Sequence, residues 1–213
     1  MAKKVTVVDY GLGNIYSVSR AIEHFGAEVV LSDDAAVLRE AERVILPGVG
    51  AFANGMQGLR ERGLVEALRA FAASGRPFLG ICLGMQMLVA TSEEFGRHEG
   101  LGIIPGKVIE IAGRANGVPV KVPHIGWNAL VRPEARAHWD GTILAGIPEK
   151  ASAYFVHSFA VVPERESDRL ADTWHGDFRI SAAVQHANVS GCQFHPEKSG
   201  PTGLAIIRNF LAA

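Results

Sequence analysis

Residues 77–86 read PFLGICLGMQ, an apolar run that reaches a cysteine placed between two glycines, each two positions away. The run Pro77–Ile81 predicts a short buried strand. The continuation LGMQMLVATSEE predicts a helix from Leu83 to about Ser92. A chain that passes from strand to helix with no intervening loop must turn sharply at Cys82. Gly80 and Gly84 remove the side chains that would collide as it folds back. G-x-C-x-G is thus the cysteine counterpart of the G-x-S-x-G elbow, which lifts a nucleophile above a sheet on a strained turn. At the head of a helix, unpaired N–H groups favour thiolate over thiol, and the Leu83 N–H points to where an oxyanion would form. The alternative is a small buried apolar side chain, as free cysteines often are. The paired glycines at a strand–helix corner favour the nucleophile.

A thiolate nucleophile needs a base, and the base needs an orienting group. Residues 193–197 read QFHPE and follow an apolar segment. Pro196 favours an extended backbone at His195, and in extended chain positions i and i+2 share a face. Glu197 can therefore reach a ring nitrogen of His195, fix its tautomer and stabilise the imidazolium. His24, His98 and His138 read as surface residues. His124, His157, His175 and His186 lack the spacing of metal ligands, so no metal is expected.

The pattern spreads outward from this corner. Lys4–Asp9, Glu28–Leu31 and Arg43–Leu46 read as further strands. Ile15, Val18, Ile22 and Phe25 mark one helix, and Leu64, Leu68 and Phe71 another. Continuous apolar strands alternating with helices predict a mostly parallel sheet with helices on its faces. After Gly106 the texture changes. KVIEI, WNALV, ASAYFVHSFAV, LADTWH, ISAAVQH and SGCQFH read as strands with few helices between them, able to extend the sheet with antiparallel partners, and Ser199–Leu211 reads as a closing helix. The expected fold is α/β in three layers, with an added antiparallel region in the second half, as one domain over 1–213.

Composition narrows the function classes. Of 213 residues, 48% are apolar, enough for a full core, and 21 basic against 22 acidic side chains leave a net charge of −1. That balance points to no nucleic-acid or polyanion partner, and the absence of any apolar run approaching the ~20 residues of a span points to no membrane partner. Two cysteines without C-x-x-C spacing suit a reducing, cytoplasmic setting rather than a disulfide or a zinc ribbon. The loop Pro47-Gly48-Val49-Gly50 at the end of the third strand offers a second backbone donor for an oxyanion. Gly11-Leu12-Gly13-Asn14 lacks the third glycine of a dinucleotide fingerprint, position 16 being Tyr, and reads as a turn.

Together, GICLGMQ and QFHPE resemble the nucleophile and base-acid motifs of class I, triad-type glutamine amidotransferases. DYGLGN at 9–14, PGVGAF at 47–52, PHIGWN at 123–128, YFVHSF at 154–159 and FHPEKSG at 194–200 are similar to the glutaminase subunits of imidazole glycerol phosphate synthase, a family of histidine biosynthesis. Where that family often has HSY, this chain has His157-Ser158-Phe159. The resemblance implies Cys82 as nucleophile, His195 as proton carrier and Glu197 as its orienter, with an oxyanion hole from Leu83 and Gly50. It implies a glutamine pocket involving Gln86, Gly48 and Ser158, and no cofactor. It further implies a heterodimer with a (β/α)8-barrel cyclase that uses the ammonia, with Asn14, Trp127 and Lys198 at or near the contact. A stand-alone cysteine amidase, and a binding module using the GLGN loop, are the other classes these residues allow. The intact Cys82, His195 and Glu197 set argues against the second.

Overall fold

The computed structural model describes residues 3–213. The chain runs β1 (Lys4–Val8), α1 (Ile15–Glu23), β2 (Glu28–Ser32), α2 (Ala35–Glu40), β3 (Val44–Leu46), α3 (Phe52–Glu61), α4 (Val65–Ala73), β4 (Phe78–Ile81), α5 (Leu83–Met87) and β5 (Val89–Ser92). It continues through β6 (His98–Glu99), β7 (Ile104–Glu110), β8 (Arg114–Ala115), β9 (Val118–Pro119), β10 (His124–Ala129), β11 (Ser152–His157) and β12 (Phe159–Pro163). β13 (Arg169–His175), β14 (Phe178–His186), β15 (Val189–Cys192) and α6 (Gly200–Ala212) complete it.

The central sheet has seven strands in the order β13-β14-β15-β4-β3-β1-β2. From β2 to β15 every neighbour is parallel, while β14 and β13 add antiparallel strands at one side. A second sheet, β12-β7-β5-β6, and the antiparallel pair β10-β11 account for the strand-rich second half. The central strands bury both faces, because alternate side chains enter separate cores. Val5, Val7, Ile45, Leu79 and Ile81 pack with α1 and α6 residues such as Val18, Ile22, Ile206 and Phe210. Val8, Val44, Leu46 and Phe78 pack with Met56, Leu59, Leu68 and Phe71 of α3 and α4. Helices on both faces of a parallel sheet make the three expected layers.

Three local readings differ from expectation. The helix after Cys82 ends at Met87, and Val89–Ser92 is a strand instead of its continuation. Val89, Thr91 and Ser92 pair with β7, so a β-branched segment takes the ladder it prefers over helix propensity. α2 was absent from the expected order. It is a short helix whose cap is local, the Asp34 carboxylate accepting from Ala36 N–H at 2.7 Å. α3 was hidden by Gly55 and Gly58. A Cβ at Gly55 would meet Met87 Sδ at 2.7 Å, and one at Gly58 the Tyr10 carbonyl at 2.9 Å, so close packing outweighs propensity.

The elbow itself is as tight as its glycines suggest. Cys82 has φ 53° and ψ −110°, a region L-residues rarely occupy. A Cβ at Gly80 would lie 2.8 Å from the Gly84 carbonyl, and one at Gly84 would lie 1.8 Å from the Leu46 carbonyl oxygen. Because the obstacle is backbone, nothing can swing aside. Gly84→Ala is expected to lower stability by about 3 kcal/mol or more, at or beyond the upper end of overpacking costs. A urea midpoint equal to that of the parent would contradict this close approach.

Candidate active site

The topology assembles the site. β15 lies beside β4 in parallel register, with Cys192 opposite Ile81, and Cys82 N–H donates to the Cys192 carbonyl at 2.7 Å. The two motifs leave the same end of the sheet on neighbouring strands. Cys82, Leu83, Gln86, Val49, Gly50 and His195 line one cleft of ≈ 430 Å³, closed on its far side by Val156–Phe159.

His195 is buried, and its Nδ1 donates to Glu197 Oε1 at 2.8 Å. Among the described residues its Nε2 has no hydrogen-bond partner. Burial disfavours the imidazolium, but the sulfur of Cys82 and the carboxylate of Glu197 outweigh it and raise the His195 pKa to about 9. Glu197 Oε1 also accepts from Asn14 Nδ2 at 3.3 Å. Asn14 stands at the head of α1, yet its side chain makes no capping bond there; it holds the carboxylate instead. The second cysteine is distinguished by its surroundings. Cys192 is fully buried, and desolvation together with the Glu197 charge raises its pKa, keeping the thiol protonated.

The oxyanion candidates are in a closed arrangement. Leu83 N–H donates to the Gly48 carbonyl at 3.3 Å, so the donor is occupied from within. Gly48 is buried behind the cleft wall, where a Cβ would meet the Tyr10 hydroxyl at 2.5 Å and Gly84 N at 2.9 Å. Gly50, at φ 98°, is exposed, and a Cβ there would meet no atom of the described residues within 4 Å. Tyr10 braces the foot of this loop, its hydroxyl donating to the Pro47 carbonyl at 2.9 Å. Burial, with Cys82 nearby, raises the tyrosine pKa and keeps that donor in place.

Gln86 sits one helical turn beyond Cys82 and bonds back to it, Gln86 N–H to Cys82 carbonyl at 3.1 Å. Its side-chain amide donates to the Phe159 carbonyl at 2.9 Å and to Gln193 Oε1 at 3.1 Å. Gln193 is fully buried, and its own amide nitrogen is 3.9 Å from Cys82 Sγ. Ser158 lies at the junction of β11 and β12 on the cleft wall, its carbonyl accepting from Ile111 N–H at 2.9 Å. The Phe159 ring meets the exposed Phe95 ring edge-on at 5.9 Å. Trp127 (59% exposed) and Lys198 lie outside the cleft on the surface. Among the described residues no cluster of His, Cys, Asp or Glu has metal-binding geometry, and no helix is long and apolar enough to cross a membrane.

The sequence matches the family described as glutamine amidotransferase class-I over residues 6–213. The chain belongs to that family. The amidotransferase is also 50% identical over 208 residues to a Legionella pneumophila (strain Lens) protein named imidazole glycerol phosphate synthase subunit HisH 1, covering 97% of this chain and 98% of that one. Proteins named subunit HisH of the same synthase, from Sulfurimonas denitrificans and Aquifex aeolicus, are 44% and 46% identical, each over 97% of this chain and over 96% and 95% of their own. In fold, the amidotransferase is similar to a chain of PurLQS from Thermotoga maritima, with a TM-score of 0.74 at 22% identity, over 100% of this chain and 99% of that one.

Sequence reasoning assigned no role to Tyr10, Gln193 or the bond from Asn14 to Glu197. Tyr10 and Asn14 lie within DYGLGN and Gln193 heads QFHPE. Polar residues flanking a nucleophile or base in an apolar context were the available signal.

Proposed function

We propose that this amidotransferase is the glutaminase subunit of imidazole glycerol phosphate synthase. It hydrolyses L-glutamine to glutamate and ammonia for a cyclase subunit in histidine biosynthesis. The observation that carries the reading is full-length similarity to HisH subunits, joined to a cleft in which one thiol, one imidazole and one carboxylate converge. The Cys82 thiolate attacks the side-chain amide carbon of glutamine. The tetrahedral oxyanion is met by the Leu83 N–H and a donor at Gly50. His195, held protonated by Glu197, gives its proton to the amide nitrogen, and ammonia leaves from a γ-glutamyl thioester. His195 then takes a proton from water, whose oxygen attacks the thioester carbon, and glutamate leaves with the thiolate restored. Gln86 and the backbone around Ser158 shape the glutamine pocket, beside Gly48.

The partner is a cyclase with a (β/α)8 barrel, docking at or near Asn14, Trp127 and Lys198; the large exposed side chains of Ile125 and Trp127 on β10 support a contact there. The whole chain acts as one domain, a reading supported by a central sheet that draws strands from Lys4 to Cys192. Two free thiols support a cytoplasmic setting. The Leu83 N–H, taken by Gly48, must be released before it can serve an oxyanion, so the lone subunit should turn over slowly. Ammonia release and Cys82 labelling by a glutamine-shaped electrophile are both expected to rise at least tenfold when cyclase and its nucleotide ligand are added. Full activity of the lone chain would instead remove the activation by the partner.

A further inference from the structure

Three histidines far apart in sequence lie together at the cleft wall, to which His157 itself belongs. His124 and His157 face each other across the β10-β11 pair, and the His124 ring lies 4.6 Å from that of His175 and stacks on Phe155 at 5.0 Å. The hydrogen bonds fix every proton in the His124–His157 pair. His157 Nδ1 is 2.8 Å from the Phe159 carbonyl, which only accepts, so Nδ1 carries the hydrogen. His157 Nε2, 3.0 Å from His124 Nδ1, is then the acceptor, and His124 Nδ1 the donor. His124 Nε2 accepts in turn from Asn128 Nδ2 at 3.4 Å. The orientation of Asn128 is fixed independently, because the same nitrogen donates to the Trp174 carbonyl at 2.7 Å while Oδ1 accepts from Ala129 N–H at 2.9 Å.

This one-way chain ends on the carbonyl that also receives the side chain of Gln86. We infer that His157 and His124 are positioning residues for the glutamine pocket. As a neutral relay from Asn128, they hold the Phe159 carbonyl where it anchors Gln86. The inference rests on the glutaminase reading of the same cleft. Both rings are suited to the part. Burial pushes the pKa of His157 down to about 3, and burial with His175 beside it pushes that of His124 down to about 4, so neither is charged at neutral pH. The remaining partner of the cluster is also fixed, His175 Nε2 lying 2.8 Å from the Lys121 carbonyl.

The test uses the complex with cyclase. In the parent protein, ¹⁵N-histidine spectra at pH 7 should show His157 and His124 as Nδ1–H tautomers. An Nε2–H tautomer at His157 overturns the inference without any substitution. Loss of the bond in His157→Leu should raise KM for glutamine about three- to tenfold, the range of one hydrogen bond. It should leave kcat within about twofold and the alkylation of Cys82 by iodoacetamide unchanged. His157→Asn, which returns an N–H close to the Nδ1 position, should recover most of the lost KM. An unchanged KM in His157→Leu, or no recovery in His157→Asn when both alkylate like the parent, refutes the positioning role. A parent complex that alkylates but shows no glutamine turnover would instead remove the glutaminase reading.

Discussion

Replacing Cys82 with alanine will abolish glutamine hydrolysis, a fall in kcat on the order of 10⁴ or more, since members of a catalytic unit lose nearly everything together. The variant should fold and still bind the cyclase, because alanine keeps the Cβ at this buried corner and deletes only one small atom from the core cluster that Cys82 joins. The backbone adds a second, independent expectation. Cys82 adopts φ 53° and ψ −110°, which alanine must also adopt at a cost and glycine need not. Cys82→Gly should therefore be more stable than Cys82→Ala by about 1–2 kcal/mol, though equally inactive. Denaturant midpoints and ammonia release read on the same preparations check both halves. Residual turnover in the alanine variant would move the nucleophile elsewhere, and Cys192, whose thiol is kept protonated by burial, is an unsuitable substitute.

Glu197→Gln is expected to cost about 10³–10⁴ in kcat, the scale seen when the orienting carboxylate of a triad is neutralised. An amide in that place no longer stabilises the imidazolium, and one of its orientations would present N–H to His195 Nδ1 and force the wrong tautomer. The pH dependence should move as well. In the parent, the His195 pKa is raised to about 9, so the proton needed by the leaving ammonia is lost, and activity declines, as pH climbs toward that value. Without the carboxylate, desolvation weighs more heavily and the alkaline limb should shift to lower pH. Linkage gives the matching stability signature. His195 binds its proton more tightly folded than unfolded, where the reference pKa is about 6.5. Its contribution is thus complete below about pH 6.5 and drains away as pH rises to about 9. That decline should be smaller in Glu197→Gln, and an unchanged alkaline limb in the variant would refute the pairing.

The sequence made the meeting of Cys82, His195 and Glu197 in one cleft legible because each motif is local. The glycines around Cys82 state a steric need, and His195 and Glu197 are two residues apart on one extended segment. The parallel core was readable for the same reason, its strands being unbroken apolar runs. What escaped depends on neighbours distant along the chain. α3 carries glycines that look like helix breakers until Met87 and Tyr10 are seen pressing against them. Val89–Ser92 continues a helical apolar pattern, and only pairing with β7 makes it a strand. The relay through His124 and His157 was read as isolated histidines without ligand spacing. Its members become neighbours only through the pairing of β10 with β11. The glycine-rich Pro47–Gly50 loop suggested a donor that could be held turned away, but not that the Leu83 N–H is the group taken, which is set by one carbonyl direction at Gly48.

The place of β15 between β14 and β4 has a consequence for synthesis. It is an interior strand of the central sheet and the last of its seven strands to leave the ribosome. Until it arrives, the nascent polypeptide carries the reactive sulfur on an unfinished sheet flank, with neither imidazole nor carboxylate to switch it on, and with bare edge amides open to foreign strands. Products of premature termination should therefore be inert toward glutamine and prone to clumping, which leaves proteolysis, rather than wasteful deamidation, as their fate.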